Sequence, residues 1–248
     1  LKVTVDPVND AARITAGNVT VTEGASGATV VLDASAGGFT VTDIDHNDGQ
    51  LSATVTVSKG TITGVGGSGG TVAGTDTATV TITNVTLAQL NARLKALTIT
   101  YPDGNADWNG SFDVTVTVND GGHVGSRPSS LEHDTDNPKA DFGDYDYADG
   151  PSGTSNELLT TRTITVTVTP VNDAPTLLDP GAAGATLPNV AEDTLDPSGK
   201  SVDYLFGSKF SDAKDAVPGG SSSNTMLGIA VTTNTATPEQ GVWQYSID

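Results

Sequence analysis

The feature that most constrains this chain is a four-residue phrase, Pro-Val-Asn-Asp, which occurs at residues 7–10 and again at residues 170–173. Each copy directly follows a segment in which threonine and valine alternate, at residues 3–5 and 163–169. A phrase that closes one strand-rich unit and opens the next is typical of the joints in a tandem array. We therefore interpret the chain as a segment of a repeat protein and expect its function to reside in the repeats and their joints.

Charge excludes several functions. The 248 residues include 11 basic and 30 acidic side chains, a formal net charge of −19. Such a surface repels phosphate backbones and anionic lipid headgroups, which argues against nucleic-acid and membrane-surface partners and favours divalent cations. There is no cysteine, so neither disulfides nor thiolate metal sites are available. No apolar run is long enough to span a membrane, and the first residue already lies in a strand pattern, so we expect a soluble piece of a longer protein.

Apolar and polar residues alternate with a period of two along most of the chain. The clearest runs are residues 112–119 and 163–169, and shorter ones occur at 19–21, 51–57 and 80–82. Gly- and Asp-rich turns separate these runs at the spacing of a β-sandwich. The predicted fold class is therefore all-β, with antiparallel Ig-like sandwiches in tandem.

One short helix is predicted at residues 87–97. Leu87, Leu90, Leu94 and Leu97 share one helical face, and Thr86 with Gln89 forms a capping-box pattern. We expect this helix to be a crossover that closes one end of a sandwich.

The joints divide the chain into three parts. Residues 1–10 are predicted to be the last strand of a preceding repeat and its joint. Residues 11–172 are predicted to be a complete sandwich with an acidic insertion at about 121–160, a loop long enough to indicate a function or disorder. Residues 173–248 are predicted to be an incomplete second repeat, with candidate strands at 227–232 and 242–247.

Several short motifs recur in a defined order. The first repeat contains Val-Thr-Glu-Gly at 21–24, Phe-Thr-Val-Thr-Asp-Ile-Asp at 39–45, Leu-Ala-Gln-Leu-Asn at 87–91, Asp-Trp-Asn-Gly at 107–110 and Val-Thr-Val-Asn-Asp-Gly at 116–121. The second contains Ala-Glu-Asp at 191–193, Phe-Ser-Asp at 210–212 and Gly-Val-Trp-Gln-Tyr-Ser at 241–246. With Val-Asn-Asp-Ala-Pro at 171–175, this order resembles the bacterial cadherin-like repeats of giant surface adhesins, including RTX adhesins.

This resemblance implies an extracellular, non-catalytic module. In that family the repeats form stalks that carry an adhesive tip away from the bacterial cell surface, which supports cell adhesion and biofilm formation. Ca²⁺ at the joints keeps the stalk stiff, and neighbouring repeats of the same chain are the partners.

The residues themselves also favour calcium. Ca²⁺ takes six to eight oxygen ligands, and Asp, Asn and Glu at strand ends supply them. We expect the ligands of the first joint to be Asn9, Asp10, Glu23, Asp43 and Asp45. For the second joint we expect Asn172, Asp173, Glu192, Asp193 and Asp212, joined by Asp120 from the end of the preceding unit. The alternative is that each is an ordinary turn or cap residue.

Two departures bear on the metal sites. The first joint lacks the proline that follows Ala174 in the second, so its linker is expected to be less stiff. Lys214 stands where the first repeat has Asp45, and an ammonium group there would oppose a cation unless Asp215 provides the ligand instead.

Two other motifs resemble functional sites, but we interpret both as structural. Residues 103–110 place oxygen side chains at alternate positions, as in a calcium loop, but a turn that buries Trp108 is preferred because no glutamate stands at the twelfth position. Residues 66–70 match the Gly-x-Ser-x-Gly pattern of a hydrolase nucleophile, but a strand or loop rather than a helix is expected to follow. We therefore do not expect an enzyme.

Two alternatives to the stalk remain open. In the first, the incomplete second repeat is completed by strands from another copy of the chain, which would make a self-assembling extracellular fibre or sheath. In the second, Tyr145 and Tyr147 in the acidic insertion contribute to a glycan- or peptide-binding tip.

Overall fold

The computed structural model describes residues 3, 9–33, 37–44, 46, 49–122, 144–147, 157–178, 189–233, 235 and 237. The chain separates into two compact units. The first is Leu1–Asn172 together with Asp215–Ser222, and the second is Asp173–Lys214 together with Ser223–Asp248. Residues 215–222, which the sequence analysis assigned to the second repeat, thus belong to the first unit. Residues 4 and 5 of the predicted strand at 3–5, and most of segment 1–10, lie outside the described residues.

The first unit is built almost entirely of β-strands. They are β1 (Arg13–Thr15), β2 (Val19–Thr22), β3 (Thr29–Leu32), β4 (Thr40–Thr42), β5 (Leu51–Val57), β6 (Thr61–Val65), β7 (Thr71–Ala73), β8 (Thr79–Val85), β9 (Leu97–Thr100), β10 (Gly110–Asn119), β11 (Asp144–Tyr147) and β12 (Leu158–Thr169). Helix α1 (Leu87–Leu94) lies between β8 and β9. The all-β prediction is confirmed.

The strands form one large and two small sheets. In the large sheet the order is β11-β12-β10-β5-β8-β7, the three-stranded sheet has the order β3-β9-β6, and β1 pairs with β4. These neighbours are antiparallel, as predicted. The exception is β2, which pairs in parallel with the last four residues of β12, while β11 pairs with the first four. The unusual length of β12, 12 residues, lets its two halves pair with different strands.

The core of the first unit lies on the apolar face of these strands. In β10, Phe112, Val114, Val116 and Val118 are all buried, as the alternation predicted. Side chains from the large sheet and from the three-stranded sheet, such as Ile99, belong to the same buried cluster. Since a fully buried Val, Leu or Phe side chain stabilises the fold by about 1.5–3 kcal/mol, this cluster dominates the stability of the unit.

The opposite face of the large sheet is rich in threonine. The hydroxyl groups of Thr115 and Thr163 are 2.9 Å apart across β10 and β12, and those of Thr117 and Thr161 are also 2.9 Å apart. Cross-strand pairs of this kind each contribute roughly 0.2–1 kcal/mol. The threonine side chains of each alternating run therefore stabilise the strand pairing, and the apolar side chains of the same run form the buried core.

Helix α1 begins where the sequence predicted and ends earlier. The capping box is present: the Gln89 backbone amide donates to the Thr86 hydroxyl, and the Thr86 amide donates to the Gln89 side chain. The predicted end at Leu97 is wrong, because Leu97 is the first residue of β9 and pairs with Leu32 of β3. Leu97 is buried, as it would be either at the end of a longer helix or at the start of a strand, so the apolar pattern did not distinguish the two.

The acidic insertion lies largely outside the described residues. For Tyr145 and Tyr147 the structure describes the backbone and not the side chains. Strand β12 begins at Leu158, close to the predicted end of the insertion at about residue 160, and pairs antiparallel with β10 as far as Asn119. The backbone of β11, inside the insertion, adds a strand to β12.

The second unit contains few regular elements among its described residues. Strands β13 (Thr176–Leu177) and β14 (Phe210–Ser211) pair antiparallel, and a short helix, α2 (Val202–Phe206), is capped by Ser201. The predicted strand at 227–232 is wrong: no described residue of that segment is in a strand, and Leu227 is 99% exposed. An alternating sequence forms a strand only when a partner is available. The candidate strand at 242–247 lies outside the described residues.

Candidate metal centre

A buried carboxylate, Glu23, lies where two strands of the first unit end side by side. Because β2 is parallel to β12, both strands end at the same edge of the sheet. Glu23 directly follows the last residue of β2, Thr22, and Val171 lies two residues after the last residue of β12, Thr169. The Glu23 amide donates to the Thr169 carbonyl at 3.1 Å, and the Val171 amide donates to Oε1 of Glu23. The parallel pairing therefore places the glutamate against the second Pro-Val-Asn-Asp phrase.

The other oxygen of Glu23 is held by Asn109. Nδ2 of Asn109 donates to Oε2 of Glu23 at 2.6 Å and to the Ser221 hydroxyl at 2.8 Å. The Ser221 amide in turn donates to Oδ1 of Asn109 at 2.7 Å. Asn109 is buried and directly precedes β10, so a rigid strand positions this amide group.

Asp215 brings a second buried carboxylate to the first unit. Its segment is anchored by Val217, which is buried in the core cluster, and by the Ser221 hydroxyl, which donates to the Asp215 carbonyl at 2.8 Å. With Asp173, which follows Val171 by two residues, Glu23 and Asp215 form a group whose carboxylate oxygens lie within 4.8 Å of one another. Backbone connectivity alone keeps Asp173 within about 7 Å of Val171.

This group of three carboxylates, Glu23, Asp173 and Asp215, can hold a metal ion. At an effective dielectric constant near 20, two carboxylates 4.8 Å apart repel by about 3 kcal/mol, so each of the three pairs opposes the arrangement. A cation bound among the oxygens would remove that repulsion. The same negative charge acts on a neighbour: the pKa of Tyr101 is raised, first by burial and then by the charge of Glu23.

The ligand groups expected from the sequence are divided differently in the structure. Asn9 was expected to join Glu23, but its Nδ2 donates to Oδ2 of Asp120 at 2.8 Å, and both of these side chains are buried. Asn109 directly precedes the ten-residue strand β10 and Asp120 directly follows it, so these two residues are about 35 Å apart. Grouping Asn9 with Glu23 is therefore wrong.

Asp120 lies at the end of β10 opposite the candidate centre, so its expected place in the second joint is also wrong. Its Oδ1 accepts hydrogen bonds from the amides of Gly122 at 2.9 Å and Leu158 at 2.8 Å. Asn9 uses Oδ2. Asp120 therefore ties the end of β10 to the start of β12, across the base of the insertion, and to residue 9.

The remaining residues expected at the first joint differ in how exposed they are. Asp43 directly follows β4 and is half-buried, Asp10 is exposed, and Asp45 lies outside the described residues. Their predicted role as calcium ligands stays a prediction.

The second joint is represented in the group by Asp173 alone. Asn172, Glu192 and Asp193 are exposed and are not members of it. Asp212 is buried; its Oδ2 accepts from the Asn224 amide at 2.6 Å, while its Oδ1 has no hydrogen-bond partner among the described residues. A buried carboxylate oxygen without a donor is costly, and a cation or a water molecule would satisfy it.

Sequence reasoning missed Asn109 and underrated Asp215. The sequence analysis considers Asp215 only as a replacement for the ligand that is missing at Lys214. The burial of Asp215 depends on Val217, which packs into the core of the first unit. Asn109 had been assigned to the turn that buries Trp108. Nothing in the sequence distinguished its side chain from other turn asparagines.

Two structural predictions, for the segments 103–110 and 66–70, agree with the structure. Trp108 is buried, with its ring centroid 5.7 Å from that of Tyr101 and 5.9 Å from that of Phe112. The glycine-rich segment 66–70 is followed by strand β7, not by a helix, and its carbonyls at Gly66 and Gly69 accept hydrogen bonds from Arg93.

In comparisons with protein-family models, with curated proteins and with solved structures, no match to this chain was found. Among the described residues, no helix has both the length and the apolar character needed to cross a membrane.

Proposed function

We propose that this chain is a non-catalytic structural module of a bacterial cell-surface adhesin, in which β-sandwich repeats are joined in tandem and stiffened by calcium at the joint. The observation that carries the proposal is the position of Glu23. Its carboxylate is buried against the backbone of the second Pro-Val-Asn-Asp phrase, and Asp173 and Asp215 complete the acidic group. In this extracellular setting the stalk would support adhesion and biofilm formation.

Calcium is the cation that best suits these donors. All three members of the group are carboxylates, and neither histidine nor cysteine belongs to it, which disfavours zinc and copper. Magnesium requires nearly ideal octahedral geometry and keeps several waters, whereas calcium accepts irregular sets of six to eight oxygens. Water and backbone carbonyls would supply the remaining ligands.

The bound ion would supply charge neutralisation between carboxylates that otherwise repel. The chain's own residues do the positioning. Asn109 and the Val171 amide hold the two Glu23 oxygens, and the Ser221 hydroxyl holds the carbonyl of Asp215. Because Asp173 is the last residue of the second Pro-Val-Asn-Asp phrase, an ion shared by these carboxylates would restrict the backbone torsions of that phrase.

Calorimetric unfolding with Ca²⁺ and with a chelator tests the proposal. At a calcium concentration 100 times the Kd, binding to the folded state adds about 2.7 kcal/mol, which raises Tm by about 5–10 °C in a domain of this size. An unchanged transition would remove calcium from the proposal.

A matched pair of variants locates the site. Asp215→Asn should abolish most of the calcium-induced rise in Tm, because it removes a buried member of the group. Asp193→Asn changes the charge by the same amount at an exposed residue outside the group, and should leave the rise intact. Equal losses in both variants would mean that net charge, and not this centre, determines the response.

A second candidate function is a self-assembling fibre in which copies of the chain exchange strands. The observation that favours it is the segment containing Leu227, Ile229 and Val231, whose alternating apolar side chains are exposed and which is in no strand. A strand from another copy would pair with this segment and cover those side chains. Sedimentation velocity over a wide concentration range tests the idea, and a single monomeric species at all concentrations would refute it.

A further inference from the structure

A lysine already lies against one of the three carboxylates. Lys214 is in the short turn Ala213–Asp215, and its Nζ is 3.6 Å from Oδ1 of Asp173. The Lys214 side chain is 54% exposed, and that of Asp173 is 29% exposed. One carboxylate of the group is thus partly neutralised by the chain itself.

We propose that Lys214 is an internal competitor for the cation: its ammonium group pairs with Asp173 in the ion-free chain and leaves when a divalent cation binds there. This inference rests on the proposed function, because it assumes that the acidic group binds a cation. Calcium lies 2.3–2.6 Å from its oxygen ligands, so an ion on Asp173 and an ammonium 3.6 Å from the same carboxylate would repel each other strongly. The long, half-exposed lysine stem allows the ammonium to move into solvent.

A buried carboxylate directly precedes the same turn. Asp212, two residues before Lys214, is 6% exposed, and its Oδ1 has no hydrogen-bond partner among the described residues. Lys214 pairs with Asp173, so its ammonium does not satisfy that oxygen. A buried acceptor of this kind favours a cation or a bound water near the turn.

The competition has a measurable consequence. An ion pair this exposed contributes up to about 1 kcal/mol, which corresponds to about a fivefold change in a binding constant. Lys214 therefore keeps the ion-free chain less strained and raises the calcium concentration at which the site fills. Loss of the ammonium should tighten calcium binding and remove part of its dependence on salt.

Isothermal titration of the full chain with calcium chloride tests the inference. Lys214→Met keeps most of the aliphatic stem and removes the charge, so its Kd should be about fivefold lower than that of the unmodified chain. Lys214→Arg retains the charge and should bind calcium as the unmodified chain does. Lys200→Met alters net charge equally, but Lys200 lies over the ring of Tyr204, at 4.8 Å from its centroid, and its loss should leave the Kd unchanged.

A second measurement follows the lysine itself. Acetylation of the unmodified chain, read by mass spectrometry, should proceed faster at Lys214 when calcium is present, and at an unchanged rate at Lys200. If the unmodified chain binds calcium but Lys214→Met has the same Kd and the acetylation rate of Lys214 does not change, the competitor is refuted and the proposed function stands. If the unmodified chain binds no calcium at all, both fail.

Discussion

Replacement of Asp120 by alanine should separate a structural clamp from a metal ligand. The Asp120 carboxylate accepts hydrogen bonds from the Asn9 side chain and from the amides of Gly122 and Leu158, at 2.8–2.9 Å. Removing the carboxylate leaves three amide donors without their acceptor, and each buried unsatisfied donor costs about 1–3 kcal/mol, so we take about 3–5 kcal/mol for the three together. We expect Asp120→Ala to lower the free energy of unfolding of the first unit by that amount.

The assay is urea unfolding followed by tryptophan fluorescence, with and without calcium. Asp113→Ala is the matched control, since Asp113 lies on the exposed face of the same strand, where its carboxylate accepts a hydrogen bond from Thr165. It should cost less than about 1 kcal/mol. The calcium-induced stabilisation should persist in both variants, because Asp120 is about 35 Å from Asn109 along β10.

Two results would refute the reasoning. A loss of stability below about 1 kcal/mol in Asp120→Ala would show that the three hydrogen bonds are not the clamp described above. Disappearance of the calcium response in a variant that is still folded would show that Asp120 is a calcium ligand, as the sequence analysis expected.

The remaining predictions concern local features of the first unit. Thr86→Ala removes the N-cap of α1 and should cost about 1 kcal/mol in urea unfolding, and a neutral result would contradict the capping box. Burial and the charge of Glu23 raise the pKa of Tyr101 in the folded state above its unfolded value of 10.0, so its contribution to stability should be fully present below pH 10 and decline as pH rises further. Tyr101→Phe should lack that decline when unfolding free energies at pH 9 and pH 11 are compared, and an equal decline in both proteins would exclude Tyr101 as its source. Ile99→Val should cost about 0.5–1.5 kcal/mol because Ile99 is fully buried, whereas exposed Val31→Ala should cost less than about 0.5 kcal/mol. Equal effects at Ile99 and Val31 would argue against the core described here.

The geometry of β2 explains why the joint and the distant glutamate come together. A parallel strand on β12 has its end at the same edge as the end of β12, so Glu23 and Val171 meet although 148 residues separate them. Had β2 been antiparallel, its end would face the other way, and the glutamate would lie nearer the end of the sheet that holds Asp120. The direction of one four-residue strand thus decides which carboxylates can share a cation.

Much of the local structure was determined by the sequence itself. The alternation at 51–57 predicted β5 with the bounds observed, and the pattern at 112–119 predicted which side chains of β10 are buried. The Thr86 capping box predicted the start of α1. These features depend on residues that are close in sequence, because side-chain periodicity and cap hydrogen bonds are set within a few residues of each other.

Tertiary structure decided which residues meet. The sequence indicated that Glu23 and Asp173 are ligand-type residues, but not that they belong to one group, because an alternating pattern does not specify the partner or the direction of a strand. It also could not show that Asp215 would be buried with the first unit, which depends on Val217 packing into that unit's core. Local chemistry therefore determined the strands, whereas long-range pairing determined which carboxylates form the group, since only the folded chain brings residues 23, 173 and 215 together.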